Sequence, residues 1–440
     1  MGSDQRVIEW IENRLVPVPC KPARTSTKPL FALLASLANV RVLAFGDSTH
    51  GTQEFFALRS HLLKLMIKRL QVRALAIEAS ASACSALDDY VCGAPVRLAD
   101  ALTGLKALAW NVEEFAALLR WLRRYNRSSN LEHRVRIYGF DIWNTQGERE
   151  RILTFLQRFA PDKLAVARQL FDRIAASESG TIMRACKVLD RNVQPQFRAL
   201  KAAIETLSAT DNPPAMLKLG QVLQDVDRLG QWISANLSRN SASSGTMDKL
   251  SVTTFDNLAR SRFMAENLIK LVERLGDDSR IAIWAHIFHL GIGTPDGRLD
   301  MNMGARLRDV FGERYYVFFL EFGHGTYLAR EHLPDDRLGD FRLVDAPEPN
   351  SNAAASLLGK LKHPSFAIDL RLNDLPQSIA DWLEQPRPIH MTGWCYSDPP
   401  SLEVETSLRR YCDGMLFTRS SVPTTPTPEA RRQAASGLGH

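Results

Sequence analysis

The sequence predicts an α/β fold: a mostly parallel central sheet flanked by helices, with an inserted all-helical subdomain. Three observations predict it. Short, near-continuous apolar runs rich in β-formers recur along the chain, as strands buried on both faces do. Amphipathic stretches of helical length separate them. From about Gly147 to Leu275 the strand pattern stops and only helical periodicity remains. The expected organisation is therefore a discontinuous α/β domain over 1–146 and 276–418, a helical subdomain over 147–275, and a disordered tail over 419–440.

The strand runs are Val40–Phe45, Ala74–Ile77, Val135–Phe140, Ile281–Trp284 and Tyr315–Leu320, followed by Ser365–Leu370 and Gly414–Phe417. Between them, Asp4–Leu15, Thr52–Leu70, Ala79–Val91 and Val112–Tyr125 repeat apolar residues at helical spacing. The middle region reads as four or five helices, among them ERILTFLQRF, KLAVARQLFDRI and FMAENLIKLVERL, with a loop expected over 238–246. The tail is rich in Pro, Thr and Ser, a composition that usually stays disordered.

At 440 residues the chain can bury a sizeable core, and its 45% hydrophobic and 24% charged residues are ordinary for a globular protein. Lys and Arg number 55 against 49 Asp and Glu, a net charge of +6 spread along the chain without a run of five like charges. Nucleic acid is not indicated. The six cysteines form no CxxC pair, which fits reduced thiols in a cytoplasm better than a disulfide framework. The N-terminus lacks the apolar segment of a signal peptide. No apolar run approaches the 18 residues of a membrane span.

Each strand run leads into titratable groups: Asp47 and His50, then Glu78, Asp141, His286 with His289, and Glu321 with His324. The carboxyl ends of parallel strands line one crevice, where ligands bind, so one polar site is expected there. Arg59 falls in the middle of the apolar stripe Phe55, Leu58, Leu62, Leu63, Met66. A guanidinium aimed inward needs an anion: either a structural carboxylate such as Glu78, or a group in the pocket. Ser48 follows Gly46-Asp47 as the serine of a GDS-type lipase does. Yet no histidine except His50 has an Asp three positions before it, and there is no Gly-x-Ser-x-Gly elbow; a loop serine is the better reading. Asp47-x-x-His50 suits a carboxylate that orients a base for water activation. His286-x-x-His289 fits hydrogen bonding to substrate, and a divalent metal there stays open. Trp110 begins a stretch with acids at a helix start. His133, His332, His363 and His390 carry no supporting pattern.

Several of these blocks together resemble the erythromycin esterase-like family. They are GDSTHGTQEFFALRSHLL, ALAIEAS, DYVCG, WNVEEFAALLRWLRRYN, YGFDIW, RSRFMAENL, IAIWAHIFH and YCDGMLF, in order from about residue 40 to 418. The resemblance implies an α/β fold whose inserted helical subdomain forms one side of a deep cleft, and a hydrolase that cleaves a carboxylic ester or (macro)lactone with activated water and no covalent intermediate. The family's named members open the lactone of macrolide antibiotics. Carried over by position, His50 is the general base, Asp47 stands where the family has Glu, and Glu78, Arg59, His286 and His289 stand at the other active-site positions. Asp141, Trp110, Glu321, Ile287 and Phe288 are expected to contact substrate. No cofactor is implied, and the partner is a small molecule, large and mostly apolar. The chain departs from the pattern twice. Asp47 pulls its carboxylate back by one methylene, about 1.5 Å, and Ile287-Phe288 stands where members commonly carry Asn-x. The same base could instead serve a non-hydrolytic cyclase, lyase or isomerase, and a member with decayed chemistry would only bind ligand.

Overall fold

The computed structural model describes residues 3–20, 28–142, 144–178, 191–207, 213–242, 249–293, 302–332, 338–371, 375–396 and 403–436. Among the described residues there are twelve strands: β1 (Val16–Pro17), β2 (Val42–Asp47), β3 (Val72–Ser80), β4 (Arg136–Asp141), β5 (Arg280–His286), β6 (Tyr315–His332), β7 (Leu338–Ala346), β8 (Ser365–Asp369), β9 (Arg387–His390), β10 (Cys395–Tyr396), β11 (Glu403–Thr406) and β12 (Gly414–Ser421). Ten of them make one sheet in the order β1-β8-β12-β6-β2-β5-β3-β4, with β7 and β10 also paired to β6. From β12 to β4 every neighbour is parallel. The antiparallel pairs sit outside that run, β8 on β12, β1 on β8 and β7 on β6. The sheet is therefore a mixed one with a parallel centre.

Side chains alternate across a strand, and here both sets are buried. Leu43, Phe45, Leu75, Ile77, Trp284 and Phe318 pack into one apolar core with Phe55, Leu58 and Leu62 of the helix Gln53–Arg69 and Phe115 of the helix Glu113–Arg127. Their neighbours Val42, Ala44, Ala74, Ala76, Ile281, Ile283 and Val317 pack on the opposite face with Met264, Leu268 and Leu271. Helices on both faces explain why β2 is buried at every position and why the strands read as continuous apolar runs.

After β4 come the helices Gln146–Phe159, Leu164–Glu178, Val193–Thr206, Pro213–Ala242 and Lys249–Arg274. The first four share a core of their own, including Ile152, Phe155, Phe171, Phe197, Leu229 and Trp232. The last joins the sheet: Met264, Leu268 and Leu271 lie on its second face, and Asn267 Nδ2 donates to Phe140 O at 3.1 Å. Of the loop expected over 238–246, the part through Ala242 is helix instead; residues 243–246 lie outside the described residues. Cys20, Cys84, Cys92, Cys395 and Cys412 are free thiols. Among the described residues no helix is long and apolar enough to cross a membrane.

The C-terminal segment corrects an expectation. It is not a disordered tail through the described residues: β12 runs to Ser421, an extended strap follows, and Pro428–Ala435 is a helix. Val422 O and Thr425 O accept from Gln53 N and Glu113 N at 2.8 Å each. Those are first-turn donors that have no partner within their own helices. Thr424 N donates to Gly51 O at 2.9 Å. Pro423 and Pro426 lack an N–H, but the docking bonds use the carbonyls and N–H groups of the residues beside them, so the composition of the strap does not prevent docking. Thr427 Oγ1 caps the final helix by accepting from Ala430 N at 3.1 Å, and Ala430 and Ala434 pack with Leu108, Leu328 and Trp394. Residues 437–440 lie outside the described residues.

Ala430→Asp places a carboxylate in this small core. It is expected to cost about 2–5 kcal/mol of stability in urea unfolding, whereas an undocked tail would leave stability unchanged.

Candidate active site

The parallel strands bring their ends to one edge. Asp47 closes β2 in register with His286 at the end of β5 and with Leu320 of β6. Glu78 lies near the end of β3, and Asp141 closes β4 opposite Ser80. The loop after β2 is held tightly. A Cβ on Gly46 would meet Ile287 Cδ1 at 2.5 Å, and one on Gly51 would meet Leu328 O at 1.7 Å, so neither position accepts a side chain.

Asp47 is fully buried between two cations. Its Oδ1 lies 2.9 Å from His50 Nδ1, and its Oδ2 accepts from Arg59 Nη1 at 2.6 Å. Burial opposes ionisation of Asp47, yet the charges of His50 and Arg59 hold its carboxyl below the usual carboxylate range. Burial likewise works against a charge on His50, but Asp47, by charge and hydrogen bond, and Glu78 lift its proton affinity above the ordinary value. A carboxylate at Nδ1 places the neutral ring's proton there and leaves Nε2 as the basic nitrogen.

Arg59 itself is 0% exposed. Its Cζ lies 4.5 Å from the Phe56 ring centroid, 4.7 Å from Trp284 and 5.8 Å from Trp110. Of the two readings of this residue, the structure shows the structural pair, with Asp47 rather than Glu78 as partner. Enclosed by aromatic faces beneath Asp47, the guanidinium cannot contact a substrate oxyanion.

A second network adjoins the first. Glu78 Oε2 accepts from His286 N at 2.8 Å and Oε1 from Arg260 Nη2 at 2.8 Å, while Trp110 Nε1 donates to Glu78 O at 2.9 Å. Arg260 also grips Asp141 through Nε at 2.9 Å and Nη2 at 2.6 Å. Its Nη1 lies 3.2 Å from His289 Nε2, and His289 Nδ1 lies 2.6 Å from Ser261 Oγ. Because guanidinium only donates, His289 Nε2 accepts and Nδ1 carries the proton. Despite burial, His289 and Arg260 hold the Glu78 carboxyl well below its ordinary range. Burial, with Arg260 adding to it, pushes His289 down to about 3. Burial and the nearby His50 push His286 down to about 4. His286 Nδ1 accepts from Phe288 N at 3.4 Å, and its Nε2 lies 3.3 Å from Ser48 O. Both rings are thus neutral at pH 7, and each acceptor nitrogen already takes a protein N–H rather than offering a lone pair to a metal. Among the described residues no group of three or more His, Cys, Asp or Glu side chains is arranged to hold a metal ion.

The edge therefore gathers Asp47, His50, Glu78, Asp141, His286 and His289. The His50 and His286 rings are 5.5 Å apart, and Trp110 lies 6.4 Å from His50. Trp110 is 3% exposed, so it backs His50 more than it presents a surface. Phe288 is half-buried and meets His289 edge-on at 5.3 Å. Three expected substrate contacts need correction. Ile287 is 0% exposed and belongs to the core on the second face of the sheet, because it directly follows β5 and packs over Gly46. Asp141 holds Arg260 instead of facing ligand. Glu321 is also 0% exposed; its oxygens accept from Ser48 Oγ at 3.3 Å, Phe322 N at 2.9 Å, and His390 N and Nδ1 at 2.9 Å each. Ser48, wholly buried and bonded to that carboxylate, is a loop serine. His324 pairs with Glu348 at 2.9 Å, away from this group.

Arg260, Ser261 and His390 were missed by reading strand ends. Arg260 and Ser261 lie on a helix, in the RSRFMAENL block, and only that block marked them. His390 had no signal, since its partner Glu321 is 69 residues away.

This is an α/β protein with a carboxylate-and-histidine site at the carboxyl edge of its parallel strands. A profile of the Erythromycin esterase family matches residues 67–421, and the chain belongs to that family. Membership points to a hydrolase. The chain is 21% identical over 404 residues to the Erythromycin esterase type II of Escherichia coli, covering 86% of this chain and 92% of that protein. Its fold matches a crystal structure described as a succinoglycan biosynthesis protein, with a TM-score of 0.76 at 16% identity over 96% of this chain and 99% of that one. It also matches an erythromycin esterase mutant in its open conformation, with a TM-score of 0.68 at 16% identity over 93% and 98% of the two chains.

Arg59→Leu strands a buried anion at Asp47 and is expected to cost about 3–5 kcal/mol. The double variant with Asp47→Asn should recover part of that loss; additive losses in a double-mutant cycle would contradict the pairing. The depressed histidines also set a pH dependence. Folded values of about 4 for His286 and about 3 for His289 lie below the unfolded value of about 6.5. The unfolded chain therefore binds more protons in that window, and stability present above about pH 6.5 is lost as pH falls through it. Asp47 and Glu78, held low, add to the loss at more acid pH, whereas His50, held high, contributes stability that is lost as pH rises. His289→Gln should flatten the urea-derived stability slope between about pH 4 and 6.5; an unchanged slope would contradict the assignment.

Proposed function

We propose that the protein hydrolyses a carboxylic ester or lactone with water activated by His50 and forms no covalent intermediate. The observation that supports this most strongly is the difference among the three imidazoles. His50 has its Nδ1 on Asp47, a raised proton affinity and Nε2 as base, while His286 and His289 are held neutral by burial and protein donors. An imidazole whose Nδ1 lies on a carboxylate and whose Nε2 is left basic is the one suited to take a proton from water.

In the proposed reaction His50 Nε2 takes a water proton, the hydroxide oxygen bonds to the acyl carbon, and an oxyanion develops. Asp47, clamped by Arg59, orients His50 and stabilises its cation. Because Arg59 is enclosed, Arg260 takes over the electrostatic role: it is 17% exposed and keeps its full charge between Glu78 and Asp141. Neither departure from the family pattern removes a working part. The shorter Asp47 still reaches both cations, at 2.9 and 2.6 Å, and Ile287 sits in the core, so the missing Asn takes nothing from the cavity wall. Phe288 supplies an apolar surface beside the site, in keeping with a substrate that is mostly apolar.

A broad panel of esters and macrolactones in H₂¹⁸O tests the reading. One heavy oxygen should enter the product acid in a single turnover, with no acyl group trapped on Ser48. His50→Ala should lower kcat by about 10²-fold or more with the fold intact by circular dichroism. A product of unchanged mass would point to an isomerase or cyclase, and an acyl-enzyme would overturn the mechanism.

A further inference from the structure

A second imidazole–carboxylate pair stands one strand away from the first, and the hydrolytic reading gives it nothing to do. Glu321 follows Leu320, the register partner of Asp47, on the adjacent parallel strand, and by alternation it faces the side of Ser48, the residue after Asp47. The two pairs share a plan, although only the second has hydrogen-bond geometry between carboxylate and ring. Each carboxylate is fully buried, each lies 2.9 Å from the Nδ1 of its histidine, and each imidazole reaches the surface to a similar degree, 13% for His50 and 16% for His390. Ser48 ties them together. Its Oγ donates to Glu321 at 3.3 Å, and its backbone lies between Asp47 and the His50 turn.

The His390 segment is strapped over that turn. Gly393 O accepts from His50 N at 2.9 Å, and Gly393 N donates to Ser48 O at 3.1 Å. A Cβ on Gly393 would sit 3.7 Å from His286 Nε2. The His390 ring itself is held from two sides. It stacks on Phe322 at 4.5 Å with a 10° interplanar angle, and its backbone N–H and Nδ1 both bond to Glu321.

Water-activated ester cleavage needs two proton transfers, one from the attacking water and one to the departing alcohol. His50 performs the first. We propose that His390, held by Glu321, performs the second as the general acid. This rests on the hydrolytic reading above. As the tetrahedral intermediate collapses, the acyl C–O bond breaks and its electron pair goes to the leaving oxygen. That oxygen takes the proton from His390 Nε2. His50 ends protonated and His390 neutral, and one proton returned through solvent restores both. His390 then contacts the alcohol side of the substrate and His50 the acyl side.

The dependence of rate on the leaving group tests this. The probes are octanoate esters with alcohols ranging from ethanol to 4-nitrophenol. Wild-type kcat should vary by less than about tenfold across the series, because the acid protonates poor leaving groups. His390→Gln should lower kcat by about 10²-fold on ethyl octanoate and by less than about tenfold on the 4-nitrophenyl ester, steepening the slope of log kcat against alcohol pKa. His50→Ala should lower both without changing that slope. Equal losses on both esters in His390→Gln, or no loss, would overturn the proposal and leave His390 a structural residue. If that variant does not fold, a steep wild-type slope overturns the proposal by itself. Wild-type protein that releases no octanoate from any ester removes the hydrolytic reading, and this inference with it.

Discussion

Asp47 is an anion with no contact to solvent, and the site can exist only because two cations flank it. An isolated carboxylate in that position would be protonated or would unfold the loop. Arg59 prevents this from beneath and is itself sheltered by the faces of Phe56, Trp110 and Trp284, an arrangement that offsets part of its desolvation. His50 completes the pair from above. The loop between Asp47 and His50 is therefore fixed by charge, and the fit of Gly46 against Ile287 and Gly51 against Leu328 fixes it sterically.

The sheet places carboxylates along its edge, and the helices and loops bring the counter-charges. Arg59 comes from the helix that follows β2, Arg260 from the long helix that returns the chain to the sheet, and His390 from the segment after β9. The Arg260 helix matters for architecture too. It is the element whose apolar side enters the second core of the sheet while its polar side joins Glu78, Asp141 and His289. Through it the helical region and the parallel sheet share one polar centre. The neutrality of His286 and His289 follows first from burial, to which the charge of His50 adds at His286 and that of Arg260 at His289.

Much of this was legible from the residues. Continuous apolar runs indicated strands covered on both faces, and their polar termini indicated one shared edge. Arg59 could be placed inside the protein because helical projection puts it within an apolar stripe, although its partner could not be chosen between anions. Other parts were hidden because they depend on long-range pairing. Glu321 looked like another strand-end ligand, but it is filled by His390, whose own neighbourhood in sequence carries no pattern. Ile287 looked like a wall residue, yet it opens the short helix that follows β5 and packs against Gly46 in the core. The tail looked disordered by composition, but composition says nothing about orphan N–H groups waiting at two distant helix starts.

The account depends on His50 holding its proton more tightly than an ordinary histidine while His286 and His289 stay neutral. Site-resolved ¹⁵N NMR of the histidine rings as a function of pH measures this directly. The account predicts that His50 titrates above the ordinary histidine value, with its neutral form protonated on Nδ1, and that His286 and His289 stay neutral down to about pH 5. A neutral, non-titrating His50 beside a His286 or His289 that titrates near pH 6 to 7 would contradict it.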